Sequence, residues 1–314
     1  PASLSIAVAL PDHKEVRAVS LLRAADTALT RARRISGGSG YQIYDSYMQT
    51  RTLRRLTLGT ELRYALERDE FSVAYQPIVA IADGLIVGFE ALVRWNHPQL
   101  GFVSPGEFVP VAEESGLVVP IDRWVLSRAC RDIARWNGGR SRKKPLTVHV
   151  NLSAHQFAED DLVDCIVETM SQSGAEVSML HLEITESTLM QDTFRAVEVI
   201  RQLRAMGLRV ALDDFGTGYS SLSYLHLFPL DYLKIDRMFV SQVEAGERDR
   251  KFVQVMLDLA ETMQLVPIAE GVETTAQRDC LRELGCGHAQ GYLYSKPVSV
   301  QEVDALIAVG SIAV

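Results

Sequence analysis

The stretch MLHLEITESTLMQDTFRAVEVIRQLRAMGLRVALDDF, residues 179–215, sets out the plan of the whole chain. Residues 179–185 are a short apolar run that reads as a strand, 193–206 follow as a helix, and 209–213 form a second apolar run. Each run ends on acids. Glu183 lies near the end of the first with Glu186 just beyond it, and Asp213 and Asp214 close the second.

The same alternation extends in both directions. Further strands are expected over 72–79, 86–95, 146–152, 232–235 and 265–269, with a short one over 288–292. Helices are expected over 123–136, 160–173, 248–263, 275–284 and 300–308. Strand and helix alternating over about 240 residues is the mark of a parallel sheet covered on both faces. About eight strands in that length favour closure into a barrel. The pair 72–79 and 86–95 breaks the repeat, because the few residues around Asp83 and Gly84 are too short for a helical crossover and require an antiparallel pairing. The expected fold is α/β, a modified (β/α)8 TIM-type barrel with one antiparallel strand.

Ahead of the barrel, residues 4–10 read as a strand, 21–35 as an amphipathic helix, and 40–44 as a strand after a glycine-rich turn. Residues 47–70 are helical in pattern, with Leu53, Leu56, Leu62 and Leu66 on one face. The expected boundaries are a small α+β fragment over 1–46, a linker helix over 47–61 and the main domain over 62–314. The chain starts at Pro1 without an initiator Met, the mark of a processed product or of a piece of something longer.

Composition narrows the function. The apolar fraction of 47% suits a globular core, and a formal charge of −8 argues against a surface built for duplex nucleic acid or anionic lipid. Cys130, Cys165, Cys280 and Cys286 form no C-x-x-C pair, which points to reduced thiols and a cytoplasmic setting. No apolar run reaches the roughly 20 residues of a membrane span, and the first residues lack the order of a signal peptide. Any membrane tether would lie in regions outside this sequence.

In a parallel barrel the reacting groups sit where strands end and loops begin. Asn151, Glu183, Asp213 with Asp214, Lys234, Glu270 and Gln290 occupy that level in successive units. Charges inside apolar strands are costly to bury unless paired or bound to metal, so the set calls for a cation. Hard oxygen donors suit Mg²⁺ or Mn²⁺ better than zinc, and adjacent acids such as Asp213 and Asp214 can serve two ions. Plainer readings exist for single residues. Asn151 could cap a helix, Lys234 could snorkel, Arg94 could form a structural ion pair, and Glu273 could be a solvated acid at a helix start. His97, His149 and His288 lack metal spacing and read as packing or hydrogen-bonding residues.

The chain resembles the EAL family of cyclic di-GMP phosphodiesterases from about Leu62 onward. The resemblance is carried by Glu90-Ala91-Leu92 with Val93-Arg94-Trp95, Tyr75-Gln76-Pro77-Ile78, Asn151-Leu152-Ser153 and Glu183-Ile184-Thr185-Glu186. It continues through Asp213-Asp214-Phe215-Gly216, Leu233-Lys234-Ile235-Asp236, Ala269-Glu270-Gly271-Val272-Glu273-Thr274 and Gln290-Gly291-Tyr292. Residues 5–9 and 24–33 resemble the tail of a GGDEF domain without its signature motif, which puts cyclase activity out of reach of this chain.

The resemblance implies hydrolysis of c-di-GMP to linear 5′-pGpG with Mg²⁺ or Mn²⁺, two ions in all, and inhibition by Ca²⁺. It makes Glu90, Asn151, Glu183, Asp213, Asp214 and Glu270 metal ligands, and Lys234 and Glu270 the pair that manages the attacking water. Gln76, Leu92, Arg94 and Gln290 would bind substrate, and Glu186 would anchor the loop 214–221. It also implies a homodimer through the EAL domain. A c-di-GMP receptor without turnover is the alternative, and a structural regulator is a third reading. The complete metal and base set favours the enzyme.

Overall fold

The computed structural model describes residues 5–9, 18–19, 21–22, 25–26, 28–29, 40–43, 46–138, 145–216 and 222–312. They fall into two compact units, one of Pro1–Arg68 with Gly106–Ser115, the other of Asp69–Pro105 with Gly116–Val314.

In the first unit β1 (Ser5–Val8) pairs in parallel with β2 (Gly40–Ile43). The helix expected over 21–35 falls mostly outside the described residues. Helix Ser46–Ala65 replaces the longer helical pattern of 47–70 and buries Leu58, Leu62 and Ala65. Leu53 and Leu56 are exposed, contrary to the face assigned from sequence. At 3.6 residues per turn, the step from Leu53 to Leu62 is two and a half turns, which puts the two on opposite sides. Arg54 and Arg55 of this helix pair with Glu107 and Glu114 of helix Pro105–Ser115, a helix the sequence reading did not include.

The second unit is a closed barrel. Its strands are β3 (Phe71–Ala80), β4 (Ile86–His97), β6 (Thr147–Asn151), β7 (Leu180–Thr185), β8 (Arg209–Phe215), β9 (Tyr232–Ile235), β10 (Val266–Ala269) and β11 (His288–Ala289). From β4 to β11 the neighbours are parallel, and β3 closes the ring antiparallel to both β4 and β11. The single antiparallel strand is where the short connection required it. Two strands are additional to those expected: β5 (Gly101–Val103) against β4, and β12 (Val298–Ser299) against β3. Each is so short that no periodicity marks it. The last barrel strand is also shorter than the expected 288–292, because beyond Ala289 the chain leaves the ladder within a few residues of Gln290, which still donates its backbone N–H to Ala269.

Helices on the outside cover the strands. Helix Val118–Asn137 buries Ile121, Val125, Leu126, Ala129, Ile133 and Trp136, a stripe at helical spacing. Trp136 meets Tyr75 edge-on at 4.7 Å and Phe89 at 5.2 Å, and the Tyr75 hydroxyl donates to Asp132 at 2.7 Å. The antiparallel β3 is thereby tied to the same helix that backs β4 and β6.

Gly88 of β4 faces Thr147 of β6 across a close approach of the two strands. A Cβ at Gly88 would lie 2.3 Å from Thr147 Oγ1 and 2.7 Å from its carbonyl oxygen. Relief requires moving β4, and Glu90 sits two residues along it. Gly88→Ala is expected to cost about 1–3 kcal/mol, by analogy with overpacked cores, read as a fall of several degrees in the thermal midpoint. A midpoint within one degree of the parent would show that the two strands have slack.

Candidate functional site

Three strand-to-helix junctions share one local rule. Asn151, Glu183 and Lys234 each precede by two residues a side chain that caps the next helix. Ser153 accepts from the Gln156 N–H, Thr185 from the Thr188 N–H, and Asp236 from the Met238 N–H. A cap residue has extended or otherwise non-helical backbone, so the strand runs on until the cap stops it and the polar residue is held at the C-terminal rim. Asn151 is therefore no cap, since Ser153 has that role.

The fourth junction uses a different device. Pairing of β8 with β9 shifts register between Leu212 and Phe215. Successive residues of a regular strand point to opposite faces, but this bulge and the left-handed backbone of Asp214 (φ 54°) bring the exposed Asp214 and the buried Asp213 to the same side. Asp213, Asp214 and Glu270 consequently each offer an oxygen within 4.8 Å of the other two.

Lys234 is the centre of the site. Only 1% of its side chain is exposed, so it does not snorkel to water. Its ammonium lies 2.7 Å from Glu183, 2.7 Å from Glu270, 3.2 Å from Asp213 and 3.7 Å from Glu90. Burial works against its charge, yet Asp213, Glu183, Glu270 and Glu90 together outweigh burial and hold its pKa well above the ordinary lysine value. Glu90 in turn accepts from Asn151 Nδ2 at 2.8 Å and Gln290 Nε2 at 2.6 Å. Gln290 Nε2 also donates to Gln76 Oε1 at 2.9 Å, and Gln76 Nε2 to the Ser295 carbonyl at 3.1 Å. Nine of the expected site residues are thus placed at one end of the barrel or beside it. Arg94 and Leu92 share the Glu90 face of β4, four and two residues further toward the rim, and Arg94 Nη1 donates to the Val93 carbonyl at 2.9 Å.

One ammonium does not balance four carboxylates. Burial raises the Glu183 pKa well above the usual range, with Lys234 opposing and Glu90, Asp213 and Glu270 adding to the rise. Glu270 is pushed up to about 8 by burial first, again against Lys234. Asp214 is raised by burial and by Asp213 beside it. Carboxylates that retain protons for want of positive charge are suited to a divalent cation. The donors are all oxygen, which suits Mg²⁺ or Mn²⁺. Asn151 spends its amide N–H on Glu90 and keeps its carbonyl oxygen for such an ion. The buried Oε1 of Gln290 has no partner among the described residues, as fits a group that meets a ligand.

Glu186 is buried at the start of helix Glu186–Gln191, while residues 217–221 of the loop it is expected to anchor lie outside the described residues. Glu273 pairs with Arg237 at 2.7 Å. The four cysteines are free thiols. His149 hydrogen-bonds as expected, to Glu183 Oε1 at 2.9 Å. His181, 3.0 Å from His149, was missed. The signal for it was a histidine two residues before Glu183, matching the one two residues before Asn151. Burial lowers the pKa of His149 well below the ordinary value and that of His181 to about 4.

A parallel barrel with one reversed strand and an oxygen-rich, lysine-centred mouth defines the class to which comparison assigns the sequence. The EAL domain family matches residues 60–297, and the chain belongs to that family. It is 42% identical over 308 residues to the bifunctional diguanylate cyclase/cyclic di-GMP phosphodiesterase MucR of Pseudomonas aeruginosa, covering 98% of this chain and 44% of MucR. It is 38% identical to the cyclic di-GMP phosphodiesterase NbdA of the same organism, covering 96% of this chain and 38% of NbdA. The chain therefore spans less than half the length of these curated relatives. Among solved structures, the PaMucR phosphodiesterase in its c-di-GMP complex superposes with a TM-score of 0.75 at 44% identity, over 79% of this chain and 99% of that one. The EAL enzyme Bd1971 with cAMP and cyclic di-GMP bound gives 0.78 at 33% identity, over 94% of this chain and 77% of the other. No helix among the described residues is long and apolar enough to cross a membrane.

The titration of the site has a consequence for stability. In the alkaline range the raised carboxylates act on stability, and the Cys130 and Cys286 thiols, pushed up by burial, act in the same direction. Glu270 is proton-bound in the fold up to about 8 but ionised in the unfolded chain above the ordinary 4.5. The folded state then binds more protons, and stability falls as pH rises through that window. Thermal midpoints in EDTA should drop from pH 7 to 8.5, and added Mn²⁺ should raise the midpoint most at the upper end. A midpoint rising with pH in EDTA would contradict the raised Glu270.

Proposed function

We propose that this chain hydrolyses c-di-GMP to linear 5′-pGpG with the help of two Mg²⁺ or Mn²⁺ ions. The observation that carries the reading is the convergence of Glu90, Glu183, Asp213 and Glu270 on one buried ammonium at the open end of the barrel, with Asn151 bonded to Glu90 and Asp214 beside Asp213 and Glu270. The names of MucR and NbdA support the substrate.

In this reading Glu90, Asn151, Glu183, Asp213, Asp214 and Glu270 would hold the ions. Such ions would supply charge neutralisation for the phosphodiester and would lower the pKa of water at the site. Lys234 keeps the surrounding carboxylates together and donates toward the attacking water. Glu270, whose pKa lies near 8 without metal, takes up that water's proton. Gln76, Leu92, Arg94 and Gln290 bind the dinucleotide, Arg94 through its fork of donors to a phosphate. Glu186 anchors the loop that follows Asp214. Ca²⁺ inhibits, because its looser geometry misplaces the groups around a site fitted to smaller ions.

Residues 1–46 we assign to the C-terminal end of a GGDEF domain, 47–61 to a linker helix and 62–314 to the EAL domain. In support, the match to a bifunctional cyclase/phosphodiesterase runs over nearly the whole chain. The same reading makes the chain a cytoplasmic module and a homodimer through its EAL domain, for which light scattering should return twice the chain mass; a single-chain mass at micromolar concentration would remove the dimer.

Incubated with c-di-GMP and Mn²⁺, the purified chain should yield pGpG by chromatography, with none in EDTA or with Ca²⁺ alone. Glu90→Ala and Glu270→Ala should each cut turnover by about 10²–10⁴-fold while the protein remains folded. Tight binding without product would favour a receptor, and wild-type rates from Glu270→Ala would overturn its role.

A further inference from the structure

The Glu183 carboxylate is gripped from two sides. Its Oε2 accepts from Lys234 at 2.7 Å, and its Oε1 lies 2.9 Å from His149 Nδ1. His149 Nε2 lies 3.0 Å from His181 Nδ1, and the two histidines face each other in register on β6 and β7. Both are almost wholly buried, at 2% and 3% exposure, and their rings pack against Tyr232 at 5.8 Å and 4.8 Å.

We infer that His149 and His181 are positioning residues that fix the orientation of Glu183 toward the metal site. The inference rests on the metal reading of Glu183 and deepens it. A carboxylate that serves a cation can only accept hydrogen bonds. His149 must then carry its proton on Nδ1 and present a lone pair at Nε2. That lone pair requires a proton on His181 Nδ1, so one ligand sets both tautomers in turn. A glutamate side chain has three rotatable bonds, and ordering it costs rotamer freedom. A donor on each oxygen holds that order before the cation arrives, and leaves the outward lone pairs of both oxygens for binding. Partners of this kind alter metal affinity by about 10–100-fold when removed.

The test compares Mn²⁺ affinity by calorimetry, without substrate, in the wild type and in His149→Leu, His149→Asn and His181→Phe. His149→Leu removes the donor and should weaken Mn²⁺ about 10–100-fold. His149→Asn places an amide N–H where Nδ1 was and should recover most of the loss. His181→Phe keeps the ring against Tyr232 but frees the His149 tautomer, and should give a smaller loss. A merely structural role would lower the melting points without separating Asn from Leu in Mn²⁺ affinity. A second readout needs no metal: at alkaline pH, where the Glu183 carboxylate is ionised, ¹⁵N NMR of the imidazoles should show the His149 proton on Nδ1. The inference is overturned if His149→Leu binds Mn²⁺ within twofold of the wild type, or if the His149 proton is found on Nε2. Failure of the wild type itself to bind Mn²⁺ would instead sink the metal reading, and the tautomer would still decide whether the clamp exists.

Discussion

The ammonium of Lys234 occupies a space with almost no water, within 4 Å of acids from β4, β7, β8 and the end of β10. A charge buried to that extent is tolerated only when it is paired, and leaving it with no partner typically costs about 3–5 kcal/mol. Lys234 therefore ties the rim of the barrel together, drawing carboxylates from four strands to one point.

The excess of carboxylate over ammonium is what makes this rim more than a structural ion cluster. Simple neutrality around Lys234 would need one acid, and four lie within ion-pair distance with Asp214 beside them. In the absence of further cations the imbalance is met by protons, as the upward shifts at Glu183, Glu270 and Asp214 record. A site that binds protons this firmly at neutral pH has stored the capacity to bind dications. The left-handed Asp214 carries a related cost, since that backbone region is disfavoured for residues with a Cβ, though aspartate tolerates it better than most. The bulge that imposes it is also what brings two consecutive acids to one side.

Below this rim the polar layer continues inward through His149 and His181, where an ordinary barrel interior would be filled by branched apolar side chains. Both imidazoles have at least one hydrogen-bond partner, so their burial is not a defect of packing. At the other side of the wall, the Tyr75–Asp132 bond and the edge-on contact with Trp136 show the same economy: the reversed strand β3 is fastened by one polar contact inside an otherwise apolar seam. The two arrangements differ in consequence. One fixes a strand, and the other fixes a ligand carboxylate.

The sequence by itself determined the alternation of strand and helix, the one antiparallel pairing, and the identity of nearly every polar residue at the rim. These are local properties: apolar runs, a connection too short for a crossover, and acids at the ends of strands all lie within a few residues of one another along the chain. The capped junctions at Ser153, Thr185 and Asp236 are local as well, although the sequence reading placed the strand ends from the apolar runs alone. Only the tertiary structure decided that Lys234 is buried among four acids, that the β8 bulge turns Asp213 and Asp214 to the same side, and that His181 reaches Glu183 through His149. It also moved the buried face of helix Ser46–Ala65 to Leu58, Leu62 and Ala65. Burial, charge balance and register depend on residues far apart in the chain meeting across a closed sheet, and no local pattern contains them.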